Sequence, residues 1–171
     1  MSRRAVLALG SNVGDGVATL QGAIEALAAT PGVRVAAVSS PYRTAPVGGP
    51  EQDDFVNAVA LVDTLLEPRE LLAACQAVEA AFHRVREVRW GPRTLDIDVI
   101  DFDGVVDGDP VLTLPHPRAA ERAFVCVPWA EVDAEASMPG RGRVCDLVDA
   151  LDASGVHRME SIVLVIPSGA S

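Results

Sequence analysis

The sequence predicts an α+β fold: a single domain with a ferredoxin-like βαββαβ core and additional strands and helices. The 171 residues suit one domain, and 49% hydrophobic residues can form a substantial core. Apolar segments follow one another in the order strand, helix, two strands, helix and strand, which is the split βαβ order. We expect residues 1–167 to form this domain and residues 168–171 to be a loose C-terminal tail.

The first half of the domain begins with an apolar run at 5–9, which predicts the first strand. Apolar residues at helical spacing predict a helix at 17–29, which the pair Pro31-Gly32 ends. A second strand is predicted at 33–39. The Pro- and Gly-rich segment 41–54 is expected to be a long loop, and compact domains usually keep such loops for function.

The middle of the chain continues with a third strand, predicted at 55–62. A helix is predicted at 68–82, where Pro68 suits the first turn because its missing N–H has no partner there anyway. The arginine-rich stretch 83–94 is expected to be irregular. The apolar run at 95–102 then predicts the fourth strand of the core.

The last third of the chain has weaker signals. The pair Asp103-Gly104 predicts a hairpin turn into Val105. We expect a short helical region around Trp129, a last helix at 144–151 and a last strand at 161–166.

Charge and cysteine content exclude several classes of function. The net charge is -10, and all 14 basic residues are arginine, so we expect no nucleic-acid or anionic-membrane partner. Cys75, Cys126 and Cys145 are far apart and odd in number, which favours a reducing cytoplasm over a disulfide framework or a zinc site. We find no apolar run long enough to span a bilayer, and we expect a cytoplasmic monomer.

Two aspartates, Asp96 and Asp98, interrupt the apolar run of the predicted fourth strand. Residues i and i+2 of a strand point to one face, about 6.6 Å apart along the chain. The two carboxylates can therefore converge on one or two hard cations such as Mg²⁺. The alternative is that one carboxylate caps a turn and the other pairs with an arginine. Asp101 and Asp103 lie at the end of the strand and are assigned to the turn.

Four arginines precede these aspartates: Arg84, Arg86, Arg89 and Arg93. Guanidinium groups bind phosphate oxygens bidentately. A solvated charged loop is the alternative, but arginines that lead straight into paired aspartates favour a polyphosphate bound together with Mg²⁺. The chain has no P-loop sequence and no lysine, which excludes the usual P-loop and protein-kinase sites.

Several motifs occur in the order of one known family: ALGSN at 8–12, YRTAPVG at 42–48, FVNA at 55–58, RVR at 84–86, RWGPRTLDIDVI at 89–100, LPHP at 114–117 and ERAF at 121–124. On these motifs the chain resembles the 6-hydroxymethyl-7,8-dihydropterin pyrophosphokinases of folate biosynthesis, from about residue 5 to residue 150. The resemblance implies transfer of pyrophosphate from ATP to the hydroxymethyl group of the pterin, with release of AMP.

The resemblance also implies roles on the phosphate side of the site. Asp96 and Asp98 would hold two Mg²⁺ ions along the triphosphate. Arg84 and Arg93 would contact the phosphates and complete the catalytic set with the two aspartates. The implied ATP-binding positions are Leu72, Gln76, Glu79, Arg84, Arg86, Arg89, Trp90, Arg93, Val99, Thr113, His116 and Arg122.

A pterin ring needs aromatic faces and a polar group that both donates and accepts hydrogen bonds. Phe55 and Asn57 share one face of the predicted third strand and supply one of each, and Phe124 matches the family's second aromatic face. Core packing is the alternative for the strand phenylalanine. The implied pterin-binding positions are Gly10, Thr44, Pro46, Val47, Phe55, Asn57, Trp90, Asp96 and Phe124.

The sequence departs from the family pattern at a few positions. Phe55 stands where some relatives have Tyr, Pro117 replaces a common Tyr, and Val111 stands where an Arg can contact ATP. The segment between Arg86 and Arg89 is one residue shorter than in some relatives, which bears on the reach of that loop.

Two other classes of function share parts of the pattern. The D-x-D motif occurs in metal-dependent glycosyltransferases, but 171 residues are few for a sugar-nucleotide enzyme with an acceptor site. A non-catalytic nucleotide-binding module would use the arginines without needing Asn57 or the two phenylalanines.

Overall fold

The computed structural model describes residues 1–11, 16–44, 54–86 and 95–167, with the backbone alone at 83–86. Over these residues the strands are β1 (Arg3–Ser11), β2 (Val33–Val38), β3 (Tyr42–Thr44), β4 (Phe55–Thr64), β5 (Asp96–Phe102), β6 (Ser137–Met138), β7 (Gly142–Arg143) and β8 (Val156–Arg158). The helices are α1 (Gly16–Ala28), α2 (Pro68–Arg86), α3 (Ala123–Val132) and α4 (Val144–Ala150), with a 3₁₀ turn at Ala119–Glu121.

The main sheet places β1 between β5 and β4, and each of these neighbouring pairs is antiparallel. The other edge of β4 is shared by two strands. β2 pairs with its C-terminal part and β3 with its N-terminal part, where Tyr42 lies opposite Asn57. β8 extends the sheet beyond β3. The α+β class is confirmed, and the strands and helices of the predicted βαββαβ order are present, with β3 and β8 added.

Apolar residues on both faces of this sheet form two cores. Leu7, Leu9 and Ile97 lie on the face that packs against α1 and α2. Val59 and Ile100 point to the opposite face, where Trp129 of α3 lies almost fully buried. Both faces of the central strands are therefore buried, which explains why these strands read as continuous apolar runs.

Helix α2 is longer than predicted. Its first turn is fixed by the Glu70 carboxylate, which accepts a hydrogen bond from the backbone N–H of Glu67 at 2.8 Å. The helix continues through Arg86 and so includes part of the stretch predicted to be irregular from residue 83. The sequence has no Gly or Pro between Arg69 and Glu87, so nothing in this segment interrupts helical geometry.

Three other predictions about local structure need correction. The predicted strand at 161–166 is wrong, because those residues form no regular structure and the strand lies earlier, at Val156–Arg158. The predicted loop at 41–54 contains the short strand β3. The predicted turn exists, with Asp103 and Gly104 at φ 53 and 71, but the chain forms no hairpin strand at Val105.

The side chain of Gln21 holds part of the segment after β8. Its amide donates to the backbone oxygen of Val165 at 2.8 Å and accepts from the N–H of Val165 at 2.9 Å. Leu164 beside it is buried in the core. A side chain therefore satisfies the backbone groups that a neighbouring strand would otherwise bond.

Among the described helices, none is both long and apolar enough to cross a membrane.

Candidate active site

A cavity of about 380 Å³ opens on the face of the sheet that also carries α3. It lies where β1 ends and where β4 and β5 begin. The residues that line it are Ala8, Leu9, Gly10, Thr44, Phe55, Asn57, Asp96, Asp98, Arg122, Phe124 and Val125. The structure thus brings together both predicted metal ligands, the predicted pterin residues that it describes, and Arg122.

The strand register explains how distant parts of the chain meet in this cavity. Gly10 on β1 lies opposite Asp96 on β5 and opposite Asn57 on β4, so the three residues form one row across the sheet. Neighbouring strands are about 4.8 Å apart, which places the outer two roughly 10 Å from each other. The Asp96 carboxylate and the Asn57 amide therefore lie on either side of Gly10, which has no side chain.

Asp96 and Asp98 lie on the cavity wall rather than in a sealed core. Asp96 is exposed and Asp98 half-buried, and their partners on β1 are the small residues Gly10 and Ala8. Among the ion pairs formed by described residues, none involves either aspartate. Their carboxylates are accessible from the cavity, so they do not carry the burial cost that a fully apolar strand would impose.

The donor set of this wall suits Mg²⁺. Two carboxylates on one face offer hard oxygen ligands, and Mg²⁺ commonly takes one or two carboxylates and fills its remaining positions with water and substrate phosphates. In the part of the chain that the structure describes, no group of three or more His, Cys, Asp and Glu residues forms a complete protein cage for a metal. The arrangement fits a metal that is shared with a phosphate ligand.

Asn57 is held between two neighbours. Its side-chain nitrogen donates to the hydroxyl of Thr44 at 3.0 Å, and the residue is 8% exposed. On its other side, a Cβ atom added to Gly10 would lie 2.8 Å from the Asn57 Oδ1. Such a contact is shorter than any real Cβ tolerates, so the glycine provides room that the amide occupies.

Two aromatic rings contribute to the cavity from different elements. Phe55 begins β4, and Phe124 lies in the first turn of α3. The guanidinium of Arg122 stands over the Phe124 ring, with its Cζ 5.6 Å from the ring centroid. This cation–π contact places a positive charge beside an aromatic face.

His116 lies close enough to the cavity that the charges of Asp98 and Arg122 act on its imidazole. Burial lowers the pKa of His116; the nearby Asp98 carboxylate opposes this shift, and Arg122 and Arg118 add to it. The imidazole is therefore neutral at pH 7. Its Nδ1 accepts the backbone N–H of Arg118 at 3.2 Å, so the ring proton lies on Nε2. That N–H can donate to an anion.

Several predicted ATP-binding residues lie outside the cavity wall. The Glu79 carboxylate accepts the backbone N–H of Ile97 at 2.7 Å, which ties α2 to β5 between the two aspartates. Val99 is buried in the core, and the Thr113 hydroxyl donates to the carbonyl of Asp109. Leu72 is half-buried on α2 and Gln76 is exposed. Their roles toward ATP stay predictions.

The remaining predicted residues fall outside what the structure describes. Arg84 and Arg86 end helix α2, but their side chains are not among the described groups. The other predicted positions outside the described residues are Pro46, Val47, Arg89, Trp90 and Arg93.

A hydrogen-bonded cluster that sequence patterns do not reveal ties β3 to α3. The Tyr42 hydroxyl donates to Glu131 Oε1 at 2.8 Å, and the Ser40 hydroxyl donates to Glu131 Oε2 at 2.8 Å. Burial and the neighbouring Glu131 carboxylate raise the pKa of Tyr42. Both joined elements carry cavity residues, Thr44 and Phe124. The long separation of residues 42 and 131 in sequence hides this contact.

Comparisons with known proteins identify the family of this chain. The family model of 7,8-dihydro-6-hydroxymethylpterin-pyrophosphokinase (HPPK) matches residues 6–134. A 2-amino-4-hydroxy-6-hydroxymethyldihydropteridine pyrophosphokinase of Methylorubrum extorquens is 51% identical over 92% of this chain and 99% of its own. The protein of the same name in Pseudomonas aeruginosa is 39% identical over 93% of this chain and 98% of its own.

Solved structures show the same fold. The chain superposes on a crystal structure of Plasmodium falciparum HPPK-DHPS with a TM-score of 0.72 at 13% identity, covering 88% of this chain and 44% of that one. At this identity the likeness concerns the fold alone. The family model and the two sequence relatives together show that the chain belongs to the 7,8-dihydro-6-hydroxymethylpterin-pyrophosphokinase family.

Proposed function

We propose that this protein transfers pyrophosphate from ATP to 6-hydroxymethyl-7,8-dihydropterin at the cavity between β1, β4, β5 and α3. Family membership makes the protein an ATP-dependent diphosphotransferase of folate biosynthesis. The observation that supports this location is the joint presence of Asp96, Asp98, Asn57 and two phenylalanines on one cavity wall. Carboxylates that suit a metal-bound phosphate and rings that suit a flat ligand are thus adjacent.

The pterin is assigned to the side of the cavity formed by Phe55, Asn57 and Phe124. The two aromatic rings offer faces for the flat bicycle, and the amide of Asn57 offers both a donor and an acceptor to its edge. Gly10, Thr44 and Asp96 complete this wall among the described residues. The proposed set also includes Pro46, Val47 and Trp90, on the strength of the resemblance alone.

The triphosphate is assigned to the side formed by Asp96, Asp98 and Arg122. Two Mg²⁺ ions, held by Asp96 and Asp98, would neutralise phosphate charge during the transfer. We assign Arg84, Arg86, Arg89, Trp90 and Arg93 to the phosphates and nucleotide, as the family motif implies. Leu72, Gln76, Glu79, Val99 and Thr113 are assigned to the surroundings of the nucleotide on the same basis.

In this proposal the protein acts mainly by positioning and electrostatics. The aromatic rings and Asn57 hold the pterin so that its hydroxymethyl oxygen attacks the β-phosphorus in line. Arg122 stabilises the charge that shifts to the departing AMP, and His116 donates its Nε2–H to a phosphate oxygen. We assign the proton of the hydroxyl group to an oxygen of Asp98.

We also infer that residues 1–167 act as one domain, because both cores pack on the same sheet. We propose that the monomer is the working unit. The three cysteines form no disulfide, which supports a cytoplasmic location.

The product nucleotide tests the proposal. A single-turnover mixture of protein, ATP, Mg²⁺ and the pterin should yield AMP and the pterin diphosphate, resolved by chromatography. In a matched reaction stopped at the same time, Asp98→Ala should yield roughly 10²–10³-fold less of both products. Formation of ADP with a pterin monophosphate would contradict the proposal, and so would full turnover by the variant.

A further inference from the structure

The Asn57 amide has two ends with opposite hydrogen-bonding character but nearly equal shape. Its nitrogen can only donate and its oxygen can only accept, so a half-turn of the amide exchanges the pattern that it offers to a ligand. Packing alone hardly distinguishes the two orientations. The polar groups around the amide must therefore select one of them.

Two neighbours select the orientation with the nitrogen toward β3. The Asn57 Nδ2 donates to the Thr44 hydroxyl at 3.0 Å. The Oδ1 points to Gly10, whose Cα offers only C–H groups at that side. An oxygen tolerates close C–H groups, whereas amide hydrogens directed there would find no acceptor.

The Thr44 hydroxyl is itself placed by the sheet. Thr44 is the last residue of β3 and lies opposite Phe55 on β4 and opposite Val156 on β8. It is thus paired on both sides. Because strands on both sides hold the backbone of Thr44, its hydroxyl has a defined position toward Asn57.

We propose that Thr44 is a positioning residue that fixes the Asn57 amide and so sets both the affinity and the specificity for the pterin. This inference rests on the proposed assignment of Asn57 to the pterin edge. Thr44 does not need to contact the reacting atoms, because it acts through the amide. Without its hydroxyl, the amide loses the hydrogen-bond partner that favours one orientation.

Four variants of the full-length protein test this inference: Thr44→Val, Thr44→Ser, Asn57→Ala and the double variant Thr44→Val/Asn57→Ala. Valine keeps the branched shape of threonine without the hydroxyl, and serine keeps the hydroxyl. The affinity for 6-hydroxymethyl-7,8-dihydropterin is measured by titration, with the affinity for ATP and the melting temperature as controls. A second ligand is 6-hydroxymethyl-7,8-dihydrolumazine, which differs from the pterin only in that an oxygen replaces the exocyclic amino group.

We expect Thr44→Val to weaken pterin binding about three- to tenfold, which corresponds to the net contribution of one hydrogen bond. ATP binding should be unchanged, and Thr44→Ser should bind the pterin almost as the wild type does. The ratio of the affinity for the pterin to the affinity for the dihydrolumazine should be smaller in Thr44→Val than in the wild type. In the Asn57→Ala background, Thr44→Val should cause no further loss, because the residue through which it acts is gone.

The possible failures are distinguishable. If Asn57→Ala leaves pterin affinity unchanged, the assignment of the pterin site is wrong. If Asn57→Ala weakens pterin binding but Thr44→Val does not, the role of Thr44 is overturned while the site stands. The same conclusion follows if Thr44→Val weakens pterin binding as much in the Asn57→Ala background as it does in the wild type. A loss of ATP binding equal to the loss of pterin binding would show a general structural effect and would also overturn it.

Discussion

Asp96 and Asp98 show, at the scale of single residues, how two carboxylates can occupy an apolar strand. They face a cavity and not a core, and no described ion pair engages them. We expect Asp98→Ala to reduce turnover by roughly 10²–10³-fold, because an electrostatic group at the phosphates is lost. The free energy of unfolding should change by no more than about 0.5 kcal/mol, as for most surface substitutions. Turnover and urea unfolding without Mg²⁺ measure the two effects.

Asp63 provides the matched control for that experiment. Its carboxylate accepts hydrogen bonds from Arg4 and Arg34 at 2.7 Å each, and Arg4 in particular lowers the pKa of Asp63. Asp63→Asn should reduce stability while the folded protein keeps its activity. If Asp98→Ala instead lost several kcal/mol of stability and kept its turnover, Asp98 would be a structural partner and the proposed metal site would be wrong.

Asp101 is a buried carboxylate whose charge costs stability. It is 8% exposed, and its Oδ1 has no hydrogen-bond partner among the described residues. Burial raises its pKa, the Gly104 N–H opposes this shift, and Asp103 adds to it. A folded pKa above the unfolded value of about 3.9 means that stability present at lower pH is lost as the pH rises through the folded pKa.

Replacement of Asp101 by asparagine should therefore stabilise the protein at neutral pH. We expect Asp101→Asn to raise the free energy of unfolding on the order of 1 kcal/mol at pH 7, with a gain that shrinks as the pH falls toward about 4. Urea unfolding across this range is the measurement. Asp103→Asn, at an exposed residue nearby, should raise the free energy of unfolding by a smaller amount. A benefit of Asp101→Asn that does not depend on pH would show that charge burial is not its cause.

At the scale of elements, the C-terminal segment after β8 is held by a helix side chain. Gln21 of α1 makes two hydrogen bonds to the backbone of Val165. We expect Gln21→Leu to lower the free energy of unfolding by about 1–3 kcal/mol, since two hydrogen bonds of about 0.5–1.5 kcal/mol each are lost. Hydrogen exchange of the Val165 amide should become faster.

Glu25 serves as the control for this element. It accepts a hydrogen bond from Gln21 at 3.2 Å but makes none of the described hydrogen bonds to Val165, so Glu25→Gln should leave the exchange of that amide unchanged. Unaltered exchange in Gln21→Leu would mean that burial of Leu164, and not the glutamine amide, holds the segment.

At the scale of the whole molecule, the ligands should stabilise the folded protein because the cavity joins β1, β4, β5 and α3. A ligand at about 100 times its Kd adds about 2.7 kcal/mol. We expect the melting temperature to rise with MgATP and to rise further with the pterin. In Asp98→Ala the shift with MgATP should be strongly reduced, while the pterin shift persists. Equal loss of both shifts would contradict separate assignments for the two ligands.

The sequence by itself determined the α+β class, the βαββαβ order and the family. These follow from short-range signals: the apolar periodicity of strands and helices, and uninterrupted motifs such as the segment 89–100 that contains both aspartates. The parity of Asp96 with Asp98, and of Phe55 with Asn57, also placed each pair correctly on one face, because side chains alternate along any strand.

The tertiary structure alone decided how these residues meet. The register of β1 sets Gly10 between Asp96 and Asn57, and register depends on the whole sheet rather than on any one strand. The strand predicted at 161–166 failed for the same reason. Its apolar residues suit a strand, but the partner available there was the side chain of Gln21, and the sheet edge beside β3 was taken by Val156–Arg158. A strand exists only where another backbone pairs with it, and that partner is chosen by the fold as a whole.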